Sequence, residues 1–151
     1  MMTISKILVP IDFSETSLKA LDQAMELAST VGAMVIVMHA YEVPAMGLGL
    51  VPEATFVASA SDAGRIASIA QSALRGVVDA HADRGVTIES VLREGPAWRE
   101  IDAVAEEMGA DLIVIGTHGR RGIVRALLGS VADKVVRLAH KPVLTIHAPG
   151  G

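Results

Sequence analysis

The residues best suited to chemistry lie in the C-terminal third of the chain, where Gly116-Thr117-His118-Gly119 is followed, after nine residues, by Gly129-Ser130. A loop that holds phosphate needs positions without Cβ, so that backbone N–H groups can approach the oxygens. A helix that follows adds unpaired donors and the positive end of its dipole. Gly129 and Ser130 stand where the next helical pattern begins. The Ser130 hydroxyl either donates to a phosphate oxygen or caps that helix, and the surrounding glycines favour the phosphate. Arg120, Arg121 and Arg125 share the loop, where guanidinium groups can attract a triphosphate, two of the three being expected as solvated surface residues.

A second polar residue stands at the end of an apolar run. Asp12 follows Lys6-Ile7-Leu8-Val9-Pro10-Ile11. Its carboxylate can accept hydrogen bonds from adenine or ribose, or it can cap a helix that starts near Ser14, and the two roles are compatible. His118 is the one histidine inside the glycine motif and is not assigned a catalytic role. His39, His81, His140 and His147 show no metal-ligand spacing with one another. No Gly-x4-Gly-Lys-Ser/Thr string occurs, no Gly-x-Gly-x-x-Gly follows the first apolar run, and no base is evident for an attacking group. The pattern therefore points to phosphate binding before catalysis.

The elements that must position these residues alternate along the chain. Lys6 to Ile11 reads as a buried strand, and Ser14 with Ser17 supplies capping hydroxyls for a helix. Leu18, Leu21, Ala24, Met25 and Ala28 form that helix's apolar face up to Gly32. Ala33 to Tyr41 is a second strand, apolar without alternation, as a strand covered on both faces requires. Glu42 to about Ser61 holds Pro44, Gly47, Gly49 and Pro52 and reads as a long loop. Met46, Leu48, Leu50, Val51 and Phe56 in it suit a lid or partner surface, or packing on the domain's own edge. Helical spacing returns from Asp62 to Arg84, with Gly85 as terminator. Val86 to Leu92 alternates like a strand near a sheet edge, Pro96 opens a helix running to Gly109, and Asp111 to Ile115 is again a buried strand. A helix from about Ser130 to Ala139 and a strand Val143-Leu144-Thr145-Ile146 complete the pattern.

Five strands alternating with four helices predict one α/β domain with an open, doubly wound parallel sheet. In such sheets ligands sit where neighbouring strands send their connections to opposite faces. Special loops after the first and fourth strands make these the central pair, giving the order 3-2-1-4-5. Composition agrees, with 51% hydrophobic residues but only 3% aromatic ones across 151 residues. The apolar content is mostly Ala, Val, Ile and Leu, the material of a sheet sandwiched between helices. The absence of cysteine excludes disulfides, thiolate metal sites and cysteine nucleophiles. A formal net charge of −4 argues against general nucleic-acid binding. Asp12, Lys19, Asp22 and Glu26 interrupt the apolar runs before any reaches membrane-span length. The N-terminus enters a strand without the zones of a signal peptide, so a cytoplasmic location is expected.

Val9-Pro10-Ile11-Asp12-Phe13-Ser14, the glycine motif ending in Gly129-Ser130, and Lys141-Pro142-Val143-Leu144 together resemble the universal stress protein family, in its ATP-binding branch. The resemblance covers nearly the whole chain and implies the same Rossmann-like sheet order. Carried over by position, it implies that Pro10 and Ile11 flank an adenine, Asp12 hydrogen-bonds it, and Ala40 offers backbone groups at its edge. Gly116, His118 and Gly119 would approach ribose and phosphates, with Gly129, Ser130 and Val131 on the phosphate tail. Ala132 stands where some members place a second hydroxyl. The expected ligand is ATP, accompanied by Mg²⁺ on its phosphates. The last strand, Val143 to Ile146, would be an edge whose unpaired groups need covering, so a homodimer through that strand is expected. A slow ATPase or nucleotidyl-transferring enzyme, and a dimeric interaction protein with a vestigial pocket, are the competing functions.

Overall fold

Continuous apolar runs become the sheet of this protein, and the helical stripes become its two coats. The computed structural model describes residues 2–43, 53–118 and 128–147, and for 53–61 the backbone alone. The elements are β1 (Lys6–Pro10), α1 (Glu15–Val31), β2 (Met34–Tyr41), α2 (Glu53–His81), β3 (Ile88–Glu94), α3 (Ala97–Glu107), β4 (Leu112–Gly116), α4 (Ser130–Leu138) and β5 (Val143–Ile146). The strands form one five-stranded sheet in the order β3-β2-β1-β4-β5, and every neighbouring pair is parallel. This is the order the two special loops imply.

Connection handedness explains the layers. Right-handed crossovers that move from β1 to β2 to β3 must lie on one face, and those that move from β3 to β4 to β5 on the other. Accordingly Ile7, Val9, Val35 and Val37 pack against Leu21, Met25 and Leu74 of α1 and α2. Leu8, Ile36, Met38 and Ile113 pack against Ile101 and Val104 of α3 and Val135 of α4. Alternate residues of β1 thus feed two cores, which is why its sequence shows no polar alternation. Leu21, Met25, Ile101 and Leu74 are almost wholly buried, and burial of each such side chain stabilises the fold by about 1.5–3 kcal/mol.

Local signals set most helix ends. Ser14 caps α1 by accepting the Ser17 N–H, and Gly32, at φ 75°, closes it by donating to the Ala28 carbonyl. Pro96 is the N-cap of α3. The structure corrects one boundary substantially: helix α2 already runs from Glu53, where the sequence reads as loop to about Ser61. Glu53 to Asp62 contains neither Gly nor Pro, so nothing local breaks a helix there, while Phe56 and Val57 are its only large apolar residues and draw no stripe. Phe56 therefore belongs to α2, whereas Met46, Leu48, Leu50 and Val51 lie outside the described residues. The same helix ends at His81, and Gly85, at φ 75°, sits in the turn beyond it.

Smaller shifts affect the strands. β3 begins at Ile88, two residues after the alternation suggests. Ile11 lies just past β1, and Asp111 lies just before β4. Asp111 is instead a tie at the amino end of the sheet, where its carboxylate accepts the N–H groups of Ser5 at 2.8 Å and Lys6 at 3.0 Å. Those two bonds hold its carboxyl below the usual aspartate range. Trp98, in the first turn of α3, has Arg99 at 5.3 Å and Lys134 of α4 at 5.5 Å from its ring centroid.

Candidate functional site

β1 and β4 pair directly, with Ile7 opposite Leu112 and Leu8 opposite Ile113. Past their carboxyl ends the chain turns to α1 on one face and towards α4 on the other, which opens a crevice between the two exits. A cavity of about 390 Å³ occupies it, within the usual range for small-molecule sites. Pro10, Ile11, Asp12, Ala40, Gly116, His118, Gly129, Ser130 and Val131 all line it. Sequence reasoning singled out each of these nine. Gly119 and Arg120, together with Arg121 and Arg125, lie outside the described residues.

The wall from β1 is built by a turn that satisfies itself. The Asp12 carboxylate accepts the Ser14 N–H at 3.0 Å, and Ser14 Oγ accepts the Ser17 N–H at 3.2 Å. Ser17 Oγ donates to the Ser14 carbonyl at 3.0 Å and accepts the Asp12 N–H at 3.3 Å. Between them Phe13 adopts φ 63°, the left-handed conformation that lets so tight an exit close. Ser14 is thus the cap of α1, and Asp12 braces the N–H of that cap residue while lining the cavity.

The opposite wall is of another kind. Gly129 is the N-cap of α4 and provides no side-chain cap, and Ser130 is the first helical residue. Ser130 is therefore not the cap, and the first intrahelical bond from this end is Asp133 N–H to the Gly129 carbonyl at 2.9 Å. The N–H groups of Ser130, Val131 and Ala132 precede that bond and belong to the set a helix leaves without intrahelical partners. They border the cavity, where an anion would also meet the favourable end of the helix dipole.

Gly116 proves to have a packing reason that the glycine motif did not reveal. A Cβ built there would meet Thr16 Cγ2 at 2.9 Å and the Thr16 carbonyl oxygen at 3.1 Å. The start of α1 lies directly over the end of β4, and only glycine leaves room for it. Thr117, fully buried, organises the rest. Its N–H reaches the Ile146 carbonyl at 2.9 Å, its own carbonyl accepts the Gly129 N–H, and its hydroxyl lies 3.0 Å from His118 Nδ1.

The cavity also gathers residues that sequence reasoning left aside, chiefly Ser17, His39, Ala97, Ile101 and Thr117. Ala97 and Ile101 stand four apart directly after Pro96, a spacing that could have marked them as the start of a buried face. Nothing in the local sequence marks His39. Its ring lies on Phe13, with centroids 4.7 Å apart, and its Nδ1 is 2.7 Å from the Ile11 carbonyl oxygen.

A parallel sheet wound on both faces, with an apolar cavity at its switch point beside the start of α4, defines a doubly wound α/β domain. Residues 3–147 match the model of the Universal stress protein family, and the chain belongs to that family. It is 36% identical over 144 residues to Universal stress protein MJ0531 of Methanocaldococcus jannaschii, spanning 95% of this chain and 82% of that protein. The structure of MJ0577 from the same organism superposes with a TM-score of 0.84 at 26% identity, covering 100% of both chains. A universal stress protein in complex with cAMP is 29% identical, with a TM-score of 0.66 over 96% of this chain and 98% of that one. The universal stress protein from Archaeoglobus fulgidus in complex with dAMP is 26% identical, with a TM-score of 0.62 over 97% and 99%.

Proposed function

We propose that this protein binds ATP in the switch-point cavity and that occupancy regulates its interactions with protein partners during stress. The observation that carries this reading is the uncapped start of α4 on one side of an apolar slot, with the Asp12 carboxylate on the other. The slot suits a purine, the carboxylate suits the base or ribose, and the first turn of α4 suits phosphate. The cAMP and dAMP complexes of its relatives support an adenine nucleotide.

In this reading Pro10, Ile11 and Ala40 surround the adenine and Asp12 hydrogen-bonds it. Gly116 and His118 lie towards ribose and phosphates, while Gly129, Ser130 and Val131 hold the phosphate tail. Gly119 and Arg120 would extend that phosphate loop. Among the described residues no group of three or more His, Asp or Glu side chains gathers as a metal site. Mg²⁺ would accordingly enter on the phosphates, with Asp12 the nearest candidate carboxylate. The protein acts in the cytoplasm.

Mass spectrometry of ligand released from freshly purified protein tests the assignment. ATP or another adenine nucleotide is expected, and timed product analysis then separates a stable binder from a slow ATPase. A protein that carries none and ignores added nucleotide would instead be an interaction module with a vestigial pocket.

The same reading includes a homodimer through β5. Leu144 on that edge strand is 43% exposed, and Val136 and Leu138 of the neighbouring α4 are also exposed. Pairing of two β5 edges would cover Leu144 and complete the unpaired backbone row. Leu144→Pro removes a donor from that row and should shift the dimer to monomer by light scattering. An unmodified protein that is monomeric at micromolar concentration would refute the dimer.

A further inference from the structure

In β2 the backbone groups of alternate residues face opposite neighbours. Val35 N–H reaches the Thr87 carbonyl at 2.8 Å and the Tyr41 carbonyl receives Gly95 N–H at 2.8 Å, so odd-numbered residues face β3. Met34 N–H reaches the Ser5 carbonyl at 2.9 Å and the Met38 carbonyl receives Ile11 N–H at 2.8 Å, so even-numbered residues face β1. Ala40 is the next even residue. Its N–H and C=O therefore point to the β1 side beyond Pro10, where β1 has already turned away and the cavity begins.

A regular parallel ladder would carry one more rung, from Ala40 N–H to the Ile11 carbonyl. Among the described residues that rung is not made. The Ile11 oxygen is approached instead by His39 Nδ1 at 2.7 Å. A carbonyl oxygen only accepts, so Nδ1 carries the proton and donates. Phe13 packs against the imidazole from the same turn, with the ring planes at 55°. One histidine side chain thus holds both the first carbonyl past β1 and the aromatic residue two positions on.

We infer that His39 is a positioning residue for base recognition: by taking the Ile11 carbonyl it ends the β1–β2 ladder one rung early and leaves the Ala40 N–H to the ligand. The inference rests on the nucleotide reading above. An N–H donor beside a C=O acceptor on one strand edge complements adenine, which offers a ring nitrogen as acceptor next to an amino group as donor. Guanine presents the reverse, a ring N–H next to a carbonyl. The consequence is preference for ATP over GTP, set by a side chain that acts through a neighbouring backbone.

Two variants and two measurements test this. His39→Phe keeps a ring against Phe13 but removes the donor, freeing the Ile11 oxygen to accept Ala40 N–H. His39→Asn returns a side-chain N–H near the position of Nδ1. In ligand-free wild type, amide hydrogen exchange by NMR should be much faster at Ala40 than at Met38. In His39→Phe the Ala40 amide should slow by about tenfold or more, and His39→Asn should restore the fast rate. In calorimetric titrations His39→Phe should lose about tenfold in ATP affinity, its ratio of ATP to GTP affinity should approach one, and His39→Asn should recover most of both. An Ala40 amide as protected as Met38 in wild type would overturn the inference whatever the variants do. So would a folded His39→Phe that binds ATP as wild type does. A wild type that binds neither nucleotide overturns the nucleotide reading itself, and the positioning role with it.

Discussion

Two helices begin at the same cavity, and they begin in opposite ways. At the start of α1 the Ser14 hydroxyl accepts the Ser17 N–H, Ser17 Oγ accepts the Asp12 N–H, and the Asp12 carboxylate folds back onto the Ser14 N–H. At the start of α4 a glycine occupies the cap position, and among the described residues no side chain answers the donors. A self-satisfied helix start fixes the place of a side chain, here Asp12. An unanswered one supplies partial positive charge and N–H groups to whatever enters. In the nucleotide reading proposed above, the difference suits the α1 side to base and ribose and the α4 side to phosphate.

The comparison breaks most completely if α4 is given a cap like that of α1. Gly129 has φ −59° and ψ 158°, angles open to any residue. In Gly129→Asp the new carboxylate would accept from the first turn and repel phosphate. ATP affinity should fall about 100-fold, or about 2.8 kcal/mol, while helix stability rises by a few tenths of a kcal/mol. Titration with Mg-ATP beside a thermal melt reads both, and undiminished affinity would move the phosphates away from α4.

Next in size is the seam where the two walls meet. Gly116→Ala drives a methyl group against Thr16 and should destabilise the fold by about 2 kcal/mol. Denaturant midpoints without ligand measure it, and an unchanged midpoint would mean that the glycine serves the ligand alone. Ser14→Ala is milder: loss of the α1 cap should lower stability by about 1 kcal/mol and leave ATP affinity within about threefold. A larger loss of affinity than of stability would place Ser14 in the site itself.

The smallest effect belongs to the far end of the sheet. Because the folded state holds the Asp111 carboxyl below its ordinary range, its contribution is present above about pH 3.9 and fades as pH falls through the lowered value. Asp111→Asn should therefore be less stable than wild type near pH 6, with the gap closing towards pH 3 in urea titrations. Its ATP affinity should match wild type, which makes it a control for the variants at the cavity.

Much of this was legible in the residues. The strands appear because runs such as Leu112-Ile113-Val114-Ile115 are bounded by charge and glycine, and the sheet order follows from two unusual loops after strands one and four. The start of α2 was not legible, since Ala54, Ala58 and Ala60 favour helix without drawing an apolar stripe. Gly116 has a further physical reason that no local pattern carries: its neighbour is Thr16, one hundred residues away in sequence. Thr117 and His39 stayed hidden for the same cause. Their partners are carbonyls at Ile146 in β5 and at Ile11 just past β1, and no local pattern announces a tertiary hydrogen bond.

The cations around Trp98 have an experimental consequence. It is the single tryptophan of the chain, it follows the cavity-lining Ala97, and one of its two cations comes from the helix whose start faces the cavity. Indole emission responds to nearby charge, so any displacement of α4 relative to α3 would alter Lys134's approach and change the fluorescence. The molecule thus carries its own optical probe, able to report in stopped flow whether ligand entry moves α4 or leaves it still, with Lys134→Met as the variant that should mute the signal.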